Sequence, residues 1–413
     1  MRGARGAPCF PPATTTFTEP DLTVPLTQAA TLRRLPPYVF AELDRLKAAA
    51  RANGKQLVDL GIGSPDLPMA PGVIAALDEA ARLPGIQGYP PFLGAPRLFK
   101  AIEQFMHDRF DVAIDSAREA LVLTGAKEGI SSIVAALCDP GDVVLVPAIY
   151  YPVYARASWL IGAEVKFIPM RASDDFVVDF DSLDWADLQR AKIMIVNYPN
   201  NPTGARVDRE FYDRAVAFAR KHDVLLVSDV AYSELTYEGV PAPSALASDP
   251  KHEVTIEFHS CSKTFSMAGL RIGFCVGNHS AVEALAAYRS NLGYGTATPI
   301  QHAAAYALEH RAELVPPTVA LYKTRRDAMA KAFRSAGWSV PLPPATMYFW
   351  LPVPEGMDDW DWVNALIDDD GIVVTPGVAF GDAGRGFFRI SMVRDEKTLA
   401  WAAEKIAARR ANH

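Results

Sequence analysis

The chain has 413 residues, 50% of them hydrophobic and 22% charged, with a formal net charge of -7. That length and apolar content suit a large core divided over two domains and exclude a small module stapled by disulfides. With 41 Lys and Arg against 48 Asp and Glu, and no stretch that concentrates the basic residues, a nucleic-acid surface is excluded as well.

Cys9, Cys138, Cys261 and Cys275 stand singly, without metal-ligand or disulfide spacing. They are expected to be buried small side chains in a reducing compartment, with no metal bound. No apolar run approaches the roughly 18 residues of a membrane helix. The opening MRGARGAPCFPPATTTFTEP also lacks the apolar centre of a secretory signal, so a soluble cytoplasmic protein is expected.

Residues 1–33 are rich in Pro, Thr and Ala without periodicity, the composition of a flexible extension. Tyr38 to Ala50, YVFAELDRLKAAA, has helix-forming composition and leads to QLVDLGIGSPDLP, a short strand running into a turn-rich segment. From there to about Gly295, short apolar runs alternate with helical stretches. Val143 to Val146, Ile193 to Val196 and Val224 to Val227 are near-continuous branched runs, the pattern of strands covered on both faces. Val254, Ile256 and Phe258 alternate with Thr255, Glu257 and His259, the period of a strand with one buried face. The expected class is α/β, a mostly parallel central sheet flanked by helices. After Pro299 come longer helical segments, Gln301 to Leu314 and Tyr322 to Ala336, then strand-like MYFWLPV, GIVVTP and FFRISMV. These predict a smaller α+β domain. The division expected is an extension (1–33), an N-terminal segment joining the small domain (34–64), a large domain (65–298) and a small C-terminal domain (299–413).

Ligands of open parallel sheets collect outside the carboxyl ends of the strands, so the residues after each strand matter most. After LVL, Gly125, Ala126 and Lys127 open an amphipathic helix whose free N–H groups can seat a phosphate, although small residues also begin helices for packing alone. After VVLVP, Tyr151 offers an aromatic face, or simply packed surface. After IMIVN, Asn201 precedes Pro202, Thr203 and Gly204, which is also the composition of an ordinary Asn-Pro turn. After VLLVS comes Asp229, with Tyr232 three positions on. A carboxylate behind a buried apolar run is costly unless a cation or donor meets it, which favours function. After VTIEF comes HSCSK, which places Lys263 just past a strand end; alone, such a lysine reads equally well as a solvated loop residue.

The five strand ends together carry a phosphate seat, an aromatic plate, an amide, a carboxylate with a phenol, and a hydroxyl-lysine cluster. Pyridoxal 5′-phosphate needs that whole set: a phosphate to anchor, a ring to stack, a phenolic oxygen to hold, a pyridine nitrogen to keep protonated, and an aldehyde that condenses with a lysine. On this reading Lys263 forms the Schiff base, and Ser260 and Arg271 close around the phosphate.

At these residues the chain resembles the fold-type I pyridoxal-phosphate enzymes, specifically the aspartate-aminotransferase-like superfamily. The resemblance runs from about Leu35 to Ile406, and SCSKTFSMAGLRIG is its most specific stretch. It implies Lys263 as the cofactor lysine, Asp229 as partner of the pyridine nitrogen, and Tyr232 and Asn201 as donors to the phenolic oxygen. Gly125, Ala126, Lys127, Ser260 and Arg271 match the phosphate site, and Tyr151 matches the ring-stacking aromatic. In FFRISM, Arg389 matches the arginine that holds the substrate α-carboxylate, beside Asn201, with Gly63 of LGIG as the backbone contact opposite. Tyr38 falls at the substrate entrance of the partner subunit. Tyr89 in GYPPFLG resembles the tyrosine that reaches the neighbouring subunit's phosphate. This implies a homodimer with shared active sites, to which segment 34–64 contributes contacts.

The implied activity is ping-pong transfer of an amino group from an L-amino acid to a 2-oxo acid, commonly 2-oxoglutarate. LPPYVFAELDRLKAAA, LGIGSPDLP and GAKEG look most like the bacterial LL-diaminopimelate aminotransferases, while YGTATPIQ and MYFW also resemble alanine aminotransferases. Phe92 and Leu93 stand where the diaminopimelate group carries an acid, and they offer no counter-charge to a distal ammonium. A small or neutral donor such as alanine is therefore expected, with LL-diaminopimelate or aspartate as alternatives. A carbon-sulfur β-lyase uses the same lysine. A non-catalytic pyridoxal-phosphate-binding regulator is the non-enzyme alternative, but neither the first 34 residues nor the acidic balance supplies a DNA-binding module.

Overall fold

Branched apolar runs build the central sheet. In the computed structural model, which describes residues 27–412, the strands in chain order are β1 (Val58–Asp59), β2 (Ala120–Leu123), β3 (Val143–Pro147), β4 (Glu164–Ile168), β5 (Ala191–Asn197) and β6 (Leu225–Asp229). They continue as β7 (Thr255–Ser260), β8 (Gly273–Gly277), β9 (Tyr348–Pro352), β10 (Ile372–Val373), β11 (Thr375–Pro376) and β12 (Phe387–Ser391). Strands β2 to β8 form one seven-stranded sheet in the order β2-β8-β7-β6-β5-β3-β4. From β7 through β6, β5 and β3 to β4 all neighbours are parallel, and β8 runs antiparallel to both β7 and β2.

Alternate residues of these strands enter two cores. Val144, Val146, Ile193 and Ile195 pack with the helices Ala126–Leu137 and Val153–Leu160, whereas Val143, Leu145, Met194 and Val196 pack with the helix Arg209–His222. Both faces are thus covered, as near-continuous apolar strands require. One expectation is corrected at β7. Its polar residues do not face solvent: Thr255 and Glu257 are fully buried and His259 nearly so. Glu257 and His259 stay dry because they are partnered, whereas the buried Thr255 hydroxyl has no hydrogen-bond partner. Glu257 accepts hydrogen bonds from Ser244 Oγ at 3.0 Å and Ala245 N at 2.6 Å, and His259 stacks on Phe274 with ring centroids 4.8 Å apart.

A second, antiparallel sheet has the order β11-β12-β9, with Arg389 opposite Trp350 and Thr375. Parallel pairing of β1 with β10 ties the N-terminal segment to this region. The helix Val39–Ala52 joins the same core through Leu43 and Ala50, alongside Phe349, Phe388 and Ile406. Of the expected extension, residues 1–26 lie outside the described residues, and Ala30–Arg33 form one helical turn with no buried side chain. Cys138, Cys261 and Cys275 are free and buried, and burial pushes their thiols up to about 12; Cys9 lies outside the described residues. Among the described residues no helix is long and apolar enough to cross a membrane.

Candidate active site

The carboxyl ends of β3, β5, β6 and β7, the mouth of the helix Ala126–Leu137, and residues of β9 and β12 converge on a cavity of about 330 Å³. Tyr38, Gly63, Ala126, Lys127, Tyr151, Asn201, Asp229, Tyr232, Ser260, Lys263, Arg271 and Arg389, all singled out in the sequence, line it. Gly125 stands immediately behind, capping the N-terminus of the helix Ala126–Leu137 with φ +107°. A Cβ there would lie 2.7 Å from Arg271 Nη2, so only glycine leaves the guanidinium over the helix mouth. Tyr89 is not in this cavity: it is 78% exposed and stacks on Tyr294 at 4.0 Å. A larger groove of about 1340 Å³, lined by Arg206, Pro241 and Pro343 among others, lies elsewhere and holds none of these polar groups.

β6 ends on Asp229, which is buried. Its Oδ2 accepts from Tyr154 Oη at 2.7 Å and its Oδ1 from Ala231 N at 3.1 Å. Burial raises its carboxyl above the ordinary value, opposed by the hydrogen bonds from Tyr154 and Ala231. After β7, Ser260 caps a single helical turn, Cys261–Thr264, by accepting from Ser262 N. That turn aims Lys263 into the cavity, where Nζ donates to Gly63 O at 2.5 Å. Burial lowers the Lys263 ammonium below its usual value, and Arg389 and Arg271 push it the same way while Tyr348 opposes. Lys127 is lowered by burial, then by Arg271 and Arg156.

Charge balance distinguishes the cavity. Lys127, Lys263, Arg271 and Arg389 form no ion pair within 4 Å among the described residues, and Asp229 forms none either. Arg389 donates from Nη1 to Asn201 Oδ1 at 2.8 Å and from Nη2 to Gly61 O at 2.6 Å, while its buried Nε has no partner. The backbone oxygen on Arg389 is thus that of Gly61, and the Gly63 oxygen is taken by Lys263. Asn201 spends its side-chain oxygen on Arg389, which leaves its amide N–H groups to donate.

Several contributors escaped the sequence reading. Tyr154 sits behind Asp229. Asn197, at the end of β5, fixes two neighbours by donating to Asp229 O at 2.8 Å and accepting from Asn201 N at 2.9 Å. Tyr348 Oη lies 2.7 Å from Tyr232 Oη. Phe40 and Ile62 add apolar wall.

These groups fit pyridoxal phosphate. A helix mouth with a glycine cradle, Ser260, and two cations lacking carboxylate partners can take a phosphate. Tyr151 supplies a ring face, Asp229 an anion without a cation, and Lys263 an amine whose depressed basicity suits condensation. The unpartnered Nε of Arg389 leaves a donor for a carboxylate.

Comparison with known proteins gives the same answer. A sequence model of the family "Aminotransferase class I and II" matches residues 55–406. An LL-diaminopimelate aminotransferase of Natranaerobius thermophilus is 40% identical over 375 residues, covering 91% of this chain and 97% of that protein. Substrate-bound BacF of Bacillus subtilis superposes with a TM-score of 0.90 at 32% identity, covering 93% of this chain and 98% of that one. A probable N-succinyldiaminopimelate aminotransferase of Thermus thermophilus gives 0.83 at 34% identity, with 89% and 99% covered. The chain therefore belongs to the class I and II aminotransferases and is a pyridoxal-phosphate-dependent transaminase with the aspartate-aminotransferase type of fold.

Proposed function

We propose that this transaminase takes its amino group from an L-amino acid with a neutral side chain and delivers it to a 2-oxo acid, 2-oxoglutarate foremost, in two half-reactions at the cavity around Lys263. Bound pyridoxal phosphate supplies an aldehyde that captures amines and a ring that, protonated on nitrogen, draws electrons from the bond being broken. Gly125, Ala126, Lys127, Ser260 and Arg271 would hold its phosphate, Tyr151 its ring face, and Asn201 and Tyr232 its phenolic oxygen. Asp229 favours positive charge at the ring nitrogen by placing an anion there.

Arg389 grips the substrate α-carboxylate and so orients the α-C–H bond toward Lys263. Lys263 Nζ, its basicity depressed by burial, is placed to act as the base that takes the substrate's α-proton. Tyr38, Phe40 and Ile62 wall the mouth.

The observation that carries the choice of donor is the lining itself. Every charged lining residue already has one of these tasks, and the lining residues without one, Tyr38, Phe40, Ile62, Ala231, Ser262 and Ala268, are all uncharged. Among the described residues, Asp229 is the one acid lining the cavity, which leaves none to meet a distal ammonium. LL-diaminopimelate is the second reading, favoured by the relative from Natranaerobius thermophilus. A panel of donors followed by the loss of the cofactor's visible band, with 2-oxoglutarate as acceptor, separates them. Neutral donors such as alanine should react at least tenfold faster than LL-diaminopimelate, and the reverse order would replace this reading with the second. Pyruvate and ammonia formed without an acceptor would mark lyase chemistry instead.

The active unit is a homodimer on this reading. Supporting it, Tyr89, Tyr294 and Leu292 are 78%, 63% and 68% exposed, a degree of apolar exposure that suits a covered face. Sedimentation of the holoenzyme at twice the chain mass is expected.

A further inference from the structure

Tyr348 opens β9 and is almost completely buried. Its hydroxyl is 2.7 Å from that of Tyr232, and its ring lies under the Arg389 guanidinium, 4.3 Å from centroid to Cζ. The hydroxyl also explains a glycine: a Cβ on Gly63 would lie 2.0 Å from Tyr348 Oη, so any side chain at 63 would displace the phenol. We propose that Tyr348 is a positioning residue with two separable tasks, its hydroxyl aiming the Tyr232 proton at the cofactor and its ring seating Arg389 for the substrate carboxylate. The inference rests on the placement of Tyr232 at the cofactor's phenolic oxygen given above.

The hydrogen-bond inventory sets the direction. A phenol has one proton to give. If Tyr232 gives its proton to the cofactor, then the 2.7 Å contact must be filled by the proton of Tyr348. A donated bond polarises the acceptor hydroxyl and strengthens the bond that it makes in turn. The ring acts differently. A guanidinium stacked on an aromatic face is attracted to it and held flat, without spending any of its N–H groups. Arg389 therefore keeps its free Nε available.

The two tasks have different readouts in the holoenzyme. The pH midpoint of the bound cofactor's visible absorbance reports loss of a proton that leaves more negative charge at its phenolic oxygen. A donor at that oxygen favours the deprotonated form and lowers the midpoint. The titratable and charged groups facing the two hydroxyls are Tyr151, Tyr154, Lys263 and Arg389, with Tyr322 behind Tyr348. None of them is altered by the substitutions below.

Tyr348→Phe keeps the ring and removes the hydroxyl. It should raise the midpoint by about half a unit to one unit, the share of a polarised hydrogen bond, and leave the affinity for propionate, a bare carboxylate probe, within twofold. Tyr348→Leu removes both, and should raise the midpoint similarly while weakening propionate about fivefold, the size of a lost cation–π contact. Tyr232→Phe is the control and should raise the midpoint at least as far as Tyr348→Phe. If Tyr348→Phe does not yield holoenzyme, Gly63→Ala carries the first test: its Cβ would meet the Tyr348 hydroxyl at 2.0 Å and the ring edge at 2.6 Å, so it should raise the midpoint and weaken propionate together. An unmoved midpoint in Tyr348→Phe beside a raised one in Tyr232→Phe overturns the inference and leaves the site reading intact. An unmoved midpoint in both overturns the Tyr232 placement as well. Equal propionate affinity in the Phe and Leu variants overturns the task given to the ring.

Discussion

Two buried carboxylates of this protein live under opposite rules. Glu234 is held by Arg109 and Arg311, each 2.7 Å away, and the trio closes the seam between the helix Pro96–Phe110, the loop after β6 and the helix Arg311–Ser335. Asp229, five residues earlier, has only a phenol and an amide. The same contrast recurs among lysines: Lys47 is buried with Asp44 at 2.5 Å and Asp59 at 3.1 Å, whereas Lys263, enclosed in the cavity, meets a lone carbonyl. Glu234 and Lys47, which serve the fold, arrive with their counter-charge, because leaving a buried charge alone costs several kcal/mol. Several charges left without a partner around one cavity mark a place where a ligand completes the balance, whereas the buried Asp359, outside the cavity, is a single carboxylate that accepts from Val378 N.

The largest break in this contrast is expected at Lys263. Lys263→Ala should cut turnover by at least about ten-thousand-fold and abolish the bound cofactor's visible band, since the attachment point and the base are lost together. Asp229→Asn should keep cofactor but lose roughly 100- to 1,000-fold in rate, because the ring nitrogen no longer faces an anion. Steady-state rates and the absorbance of gel-filtered enzyme check both. Arg389→Lys should raise the donor's KM about 30-fold, as a point charge replaces a fork with five donors.

The partnered carboxylate should behave in the opposite way. Glu234→Gln should leave the rate per folded molecule unchanged while lowering stability by about 3 kcal/mol, the low end for a broken buried pair because Arg311 is partly exposed. Urea unfolding of the apoprotein measures it. The smallest effect sharpens the comparison furthest. Asp229 has its carboxyl raised above 3.8 by burial. A group whose folded value exceeds its unfolded one contributes stability below the unfolded value and loses it as pH rises through the folded value, so at neutral pH the bare carboxylate is a cost in the apoprotein. Asp229→Asn should therefore raise the apoprotein Tm by roughly 2 °C at pH 7.5, with the gain fading toward pH 4. Calorimetry without cofactor, on variants at 229 and 234, should give shifts of opposite sign.

Much of the site was legible because its polar residues interrupt apolar runs. Asp229 after VLLVS and Asn201 after IMIVN announce themselves by the cost of burying them. The branched runs revealed β3, β5 and β6 for the complementary reason, since residues that are only apolar have nowhere to go but inside. Among what stayed hidden, two tyrosines matter most. Tyr154 lies within a helix and Tyr348 within MYFWLPV, and a buried tyrosine in an apolar segment reads as packing until its hydroxyl partner is known. Alternation misled at β7, because a polar residue on a strand signals solvent only if no other part of the chain satisfies it. Tyr89 is expected from the resemblance at the neighbouring subunit's phosphate, and within one chain it is a surface tyrosine stacked on Tyr294.

Lys263 is the residue expected to carry the cofactor, and borohydride reduction of the holoenzyme followed by peptide mass mapping tests that directly. One phosphopyridoxyl group per chain on the peptide containing Lys263, and none in Lys263→Ala, is the predicted result. A stoichiometric adduct on another residue, Lys127 included, or no adduct on a yellow, active enzyme, would contradict it.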